Sequence, residues 1–274
     1  MVFASFSSAS GAVINALYLI ACIYIYVSLV RQIAARTSAD TLDPAGPTFG
    51  LAEAVLAGVL IAFFLLTITL SLSGAEPRKI GSREIVSEIV FQVGLLLFIV
   101  AFLRLRRLDL NLLGGFSKIG LRRTLFTGGI LLIAAYPLIA LADAIMQRFL
   151  QHGTGSSRQM IVDTFTGSET IGQRVLIIFL AIVLAPIGEE FLFRFFLYGV
   201  LKRYCGWFLA LALNSLLFAA AHAHFPSFAP LFALGCCLTI AYEWSGSILV
   251  SMTMHALFNA VMLTLLAFPE ILPQ

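Results

Sequence analysis

Runs of about twenty consecutive apolar residues recur along this chain, and a run of that length is what an α-helix needs to cross the hydrocarbon core of a bilayer. Eight such runs lie at roughly 12–30, 51–73, 85–104, 124–146, 174–200, 207–223, 228–243 and 247–268. Composition agrees. Hydrophobic residues make up 60% of the 274 positions and charged residues 11%, and mean hydropathy is +1.00. A soluble domain carries about 25% charged residues. The expected fold is all-α, a polytopic transmembrane helical bundle of about eight spans. No stretch is both long and polar enough for a separate soluble domain.

The net charge of +3 is too small for a nucleic-acid surface, so the basic residues are taken as topology signals. The connection between the third and fourth spans holds Arg104, Arg106, Arg107, Lys118, Arg122 and Arg123. That cluster is placed on the cytoplasmic side. Alternation then puts Arg31, Arg36, Lys202 and Arg203 inside as well and both termini outside, against the opposing signal of Arg78, Lys79 and Arg83. The expected location is the cytoplasmic membrane, multi-pass. No basic stretch precedes the first run, so no cleaved signal is expected, and Ile271-Leu272-Pro273-Gln274 has no lipidation signature. Cys22, Cys205, Cys236 and Cys237 show no CxxC spacing, which argues against a disulfide framework or a thiolate zinc site. Polar connections are expected at 37–48 and 150–173, with turns near Gly206 and at Ser245-Gly246-Ser247.

Charge inside the fifth run stands out. Glu189, Glu190 and Arg194 are flanked on both sides by apolar residues. An ionisable residue at membrane depth is costly and usually faces a protein interior, where it does chemistry or transport. Glu190 and Arg194 are spaced i, i+4 and share a helix face, so they are expected to neutralise each other. Glu189 leaves the helix about 100° away and has no local partner, which makes it the candidate general base. Pro186 lacks an N–H and Gly188 permits close approach, so both can open the helix just before the site. The sixth run aligns Asn214, Phe218 and His222 on one face, with Asn214 favoured as interhelical glue and His224 as a loop residue. The last run aligns His255 and Asn259. Three spans thus each offer one inward polar stripe, a set that fits hydrolysis by a polarised water with a Glu base and His/Asn donors for an oxyanion. The span boundaries place His222 deeper from the cytoplasm than His255, which calls for a shifted boundary or strongly tilted helices.

Glu189-Glu190-x-x-x-Arg194, Phe218-x-x-x-His222 and His255-x-x-x-Asn259, in that order, resemble the motifs of the CAAX-protease and bacteriocin-processing family of intramembrane proteases, also called Rce1-like or ABI. The resemblance covers roughly residues 125–268. It divides the chain into N-terminal spans outside the resemblance (1–123) and a CAAX-protease-like core (124–274). It implies that Glu189 activates water with His222 as its partner, that His255 and Asn259 stabilise the oxyanion, and that Glu190 and Arg194 support them. The family is often labelled metalloprotease. Zinc held by Glu189, His222 and His255 with an open position is the alternative, with Glu190 then the base; a metal-free site is favoured. Expected partners are membrane lipid and a peptide or membrane-protein substrate, with no nucleic acid.

The expected function is an intramembrane endopeptidase, with the site between the fifth, sixth and eighth spans. The alternative is a non-catalytic binding or immunity protein of the same fold. A transporter using Glu189 as carrier would show inverted repeats, and the sequence shows none.

Overall fold

A computed structural model describes residues 9–40, 49–72, 81–150 and 170–268. Among them the secondary structure is helical, without strands. The elements are α1 (Ala9–Asp40), α2 (Leu51–Leu72), α3 (Ser82–Leu105), a short α4 (Leu110–Gly114) and α5 (Leu121–Leu150). A composite helix follows: α6 (Ile171–Phe179), a π-helical stretch (Leu180–Leu184), α7 (Ala185–Glu189), a second π-helical stretch (Glu190–Leu197) and α8 (Tyr198–Ala221). A 3-10 turn (Phe225–Ser227) leads into α9 (Phe228–Ser245), and α10 (Ile248–Ala267) ends the bundle. The first helix runs to Asp40, so the connection expected from 37 begins later. Segments 41–48 and 151–169, and the basic residues Arg78 and Lys79, lie outside the described residues.

Seven helical runs among the described residues are long and apolar enough to cross a membrane. One of them, Ile171–Ala221, is 51 residues long. At 1.5 Å per residue that is roughly 76 Å, far more than a bilayer's ~30 Å core. Gly206 resolves the excess. Its φ of 78° and ψ of 163° break the helix, a conformation glycine adopts at little cost. The run therefore folds into two segments either side of Gly206, and these match the two spans expected there. The protein is an integral, multi-pass membrane protein of helical-bundle architecture.

Burial separates an inner from an outer set. Every residue from Glu190 to Leu197 is buried, so the charged helix is the axis of the bundle, enclosed on all sides as a helix apolar all round should be. Phe191, Phe193, Phe195 and Phe196 pack there and face no lipid. In α2 and α3, Val55, Val59, Leu66, Leu70, Val90 and Leu97 are exposed, as lipid-facing side chains must be.

Two prolines interrupt the helical hydrogen-bond ladders. Pro137 lies inside α5 and cannot donate to the carbonyl of Ile133, four residues back. The Tyr18 hydroxyl, from α1, donates to that carbonyl instead. Pro186 interrupts the composite helix. There the Ala185 N–H reaches back five residues to the Leu180 carbonyl, the π register, and the next rung would run from Pro186 to Ala181. Asn259 Nδ2, from α10, donates to the Ala181 carbonyl at 2.8 Å.

Candidate active site

One π-helical turn precedes Pro186 and the second π stretch begins at Glu190, so Glu189 ends the short α-helical piece between them. π-bulges occur mostly as single turns and frequently at functional sites. The helix does not open at Pro186, as the sequence suggested. It stays continuous and changes register.

Glu190 and Arg194 form the expected pair. Arg194 Nη1 donates to Glu190 Oε1 at 3.0 Å, and both side chains are 0% exposed. The guanidinium also reaches the Gly235 carbonyl of α9 and lies 4.1 Å over the ring of Phe218, a cation–π contact. His255 Nδ1 stands 2.9 Å from the same Glu190 oxygen. Because a carboxylate only accepts, the Nδ1–H donates, which leaves Nε2 turned away from Glu190. His222 is fixed the same way. Its Nδ1 donates to the Phe218 carbonyl at 2.8 Å.

The two free imidazole nitrogens face one atom. Glu189 Oε2 lies 3.9 Å from His222 Nε2 and 3.9 Å from His255 Nε2. That oxygen is buried and has no hydrogen-bond partner, although the Glu189 side chain as a whole is 24% exposed. His222 is 27% exposed and His255 3%, so the site opens on the His222 side. Phe218 anchors both rings edge-on, at 4.8 Å from His222 and 5.8 Å from His255. The depth conflict between the two histidines disappears. His222 is about 24 Å from the Gly206 break and His255 about 10 Å from the start of α10 by helical rise, so the two helix starts are not level.

Asn259 sits one turn beyond His255, and its described hydrogen bond is the one to Ala181. Asn214 donates to Thr239, as interhelical glue would. His224 pairs with Ser227 beside the 3-10 turn, away from Glu189.

A cavity of about 160 Å³ adjoins Glu189 and His222, walled by Phe64, Phe91, Leu95, Phe191 and Phe193 among others. Its far side is α3, a helix that the sequence reading left outside the site. Gln92 lines it, and its buried Oε1 has no partner, while its Nε2 donates to Glu88. Gly188 has no side chain on this side; the nearest atom to where a Cβ would stand is Gln92 Oε1, 3.9 Å away. Nothing in the spacing of Glu88 and Gln92 signalled this, because the rest of the cavity they line is built by other helices.

Glu189, His222 and His255 have the chemistry of a zinc set, with the outward ring nitrogens already bonded. Their present spacing is wider than a bound zinc would hold it. Ligand atoms of a tetrahedral zinc stand roughly 3.4 Å apart, against 3.9 Å here. Among the described residues no three His, Cys, Asp or Glu side chains are placed to hold a metal ion.

The central helix of this multi-pass bundle thus presents Glu189, Glu190 and Arg194 to histidines from two other helices. Residues 171–261, about a third of the chain, match the family model described as Type II CAAX prenyl endopeptidase Rce1-like. The chain is similar to the membrane-embedded CAAX protease MroQ of Staphylococcus aureus (strain USA300), 31% identical over 106 residues, 36% of this chain and 43% of MroQ. It is also similar to the uncharacterized protein YpbD of Bacillus subtilis (strain 168), 36% identical over 99 residues, 35% of this chain and 48% of YpbD. An uncharacterized 24.3 kDa protein of Escherichia coli is 34% identical over 93 residues, 32% of this chain and 42% of that protein. The chain thus spans less than half the length of these curated relatives. No solved structure matches.

Proposed function

We propose that this protein is an intramembrane endopeptidase that hydrolyses a peptide bond with a water activated by Glu189. The observation that carries this reading is the buried, unpartnered Glu189 Oε2 at 3.9 Å from two imidazole nitrogens. A polar gap of that width is what one bridging water fills. His222 Nε2, its lone pair directed by the Phe218 carbonyl behind it, accepts a hydrogen bond from the water. Glu189 removes the other proton as the water oxygen attacks the substrate carbonyl carbon. His255 enters the cycle as the imidazolium, its Nδ1–H held by Glu190, and its Nε2–H donates to the oxygen that becomes negative. The charges then balance: Glu189 and Glu190 negative, Arg194 and His255 positive. The carbon–nitrogen bond breaks as Glu189 passes its proton to the leaving amine. Asn259 braces the helix at Ala181 and keeps one amide hydrogen for the substrate oxygen. No step runs through a metal. The relative named as a CAAX protease supports peptide-bond cleavage as the reaction class.

The test is cleavage of a peptide library by the purified protein, with Glu189→Gln beside the parent. General-base removal is expected to lower turnover by about 100- to 10,000-fold at unchanged melting temperature. A Gln variant that cleaves at the parental rate refutes the mechanism. Dialysis against a strong chelator is expected to leave activity intact; stoichiometric zinc whose removal abolishes cleavage, and whose return restores it, would make Glu189, His222 and His255 its ligands.

A further inference from the structure

A second pocket, of about 400 Å³, lies at the opposite end of the bundle axis from the α8–α9 turn. Three chain segments build it: the end of α1 with Gln32 and Arg36, the α4–α5 connection and start of α5 with Lys118 and Arg123, and the end of α9 with Trp244. Three cations therefore converge from elements far apart in sequence. None has a carboxylate partner among the described residues. Three described acids are already engaged: Glu53 with Arg106, Glu243 with Lys202 and the Tyr198 hydroxyl, and Asp109 with the first amides of α4.

Arg36 is held in place, and Lys118 lies close against the turn that ends α9. Arg36 Nη1 donates to the Trp244 carbonyl at 2.9 Å, and the Trp244 indole N–H donates to Gln32 at 3.0 Å. Gly246 closes α9 with a φ of +65°, and a Cβ there would run into the Lys118 ammonium. Glycine at this turn leaves room for the lysine. The rim is apolar: Phe126 lines the pocket, is 70% exposed, and continues into the exposed Leu121 and Leu125 of the same helix. Trp244 sits where tryptophan is enriched, at the level of lipid headgroups.

We propose that this pocket binds the phosphate of an anionic phospholipid, with Arg36, Lys118 and Arg123 around the headgroup and an acyl chain along Phe126. Basic pockets between transmembrane helices recognise anionic headgroups in this way. A free phosphate ion shares the headgroup's chemistry, but gains nothing from the apolar rim.

The experiment uses the full chain in detergent, titrated with phosphatidylglycerol, phosphatidylcholine or inorganic phosphate alone, with lipid adducts counted by native mass spectrometry. Phosphatidylglycerol is expected to form a saturable one-to-one adduct that survives excess phosphate, and phosphatidylcholine to bind far more weakly. Combining Arg36→Gln, Lys118→Gln and Arg123→Gln is expected to weaken phosphatidylglycerol binding roughly 100-fold, since each cation near an anionic surface contributes about a five-fold effect. Arg104→Gln with Arg107→Gln, basic residues outside the pocket, is expected to leave binding unchanged. If the triple variant does not fold, Lys118→Gln alone is expected to weaken binding about five-fold. Equal binding of the two lipids, unchanged binding in the lysine variant, or inorganic phosphate displacing the lipid at equal affinity overturns the proposal.

Discussion

Pro137 and Pro186 create the same defect in two helices, and the two repairs differ in kind. At Pro137 the ladder keeps its α register, and a tyrosine hydroxyl from the outer helix α1 covers the freed Ile133 carbonyl, at a residue that is itself 63% exposed. At Pro186 the ladder shifts to the π register, and a side-chain amide from α10 covers the freed Ala181 carbonyl. In lipid an unsatisfied backbone group is expensive, so both gaps demand a partner. Only the second gap lies three residues before the carboxylate that faces two histidines. The first repair ties a peripheral helix on. The second sets the position of Glu189.

The comparison can be broken at several points. The largest effect is expected beneath the π stretch. Glu190→Ala and Arg194→Ala should each destabilise by about 3–5 kcal/mol by stranding a buried charge, and the double variant should lose less than the sum. Additive losses in thermal unfolding would show that the pair is not coupled. Pro186→Ala comes next. It restores the missing N–H, lets the ladder close without Asn259, and should lower cleavage about 100-fold by moving Glu189 on the order of 1 Å. Pro137→Ala should leave cleavage unchanged; equal losses from both proline variants would abolish the distinction drawn here. Asn259→Ala should cost about 1 kcal/mol of stability for the lost interhelical bond, and that cost should vanish in the Pro186→Ala background. Persistence of the full cost there would show that Asn259 does something other than brace Ala181. The smallest effect is reserved for Tyr18→Phe, roughly 0.6 kcal/mol in melting experiments with cleavage unaffected.

Much of this arrangement was legible in the sequence because its signals were local. Eight apolar runs gave the helices, and Glu189, Glu190 and Arg194 marked the central one by being charged where charge is costly. The i, i+4 rule found the Glu190–Arg194 pair, and it aligned Phe218 with His222 and His255 with Asn259. What stayed hidden depended on contacts between helices. Phe218 belonged to a motif, yet its place under Arg194 and against both imidazoles is a matter of packing. Gln92 and Glu88 are ordinary polar residues on a lipid-facing helix until α3 is laid against Gly188. The division at residue 123 followed the motifs, whereas the cavity beside Glu189 draws part of its wall from before that point. Pro186 advertised an irregular helix, but the change of register and the partner of the freed Ala181 carbonyl, an amide 73 positions after the proline, belong to tertiary structure.

That late amide has a temporal meaning. Chains are made from the N-terminus, and α10 is the last described helix to emerge. Until it docks, the Ala181 carbonyl has no partner, Glu190 has no His255, and Glu189 faces one imidazole where it later faces two. The carboxylate's surroundings are therefore complete only once α10 has docked, and a bundle still waiting for that helix carries Glu190 without its histidine and Glu189 with one imidazole where two will stand.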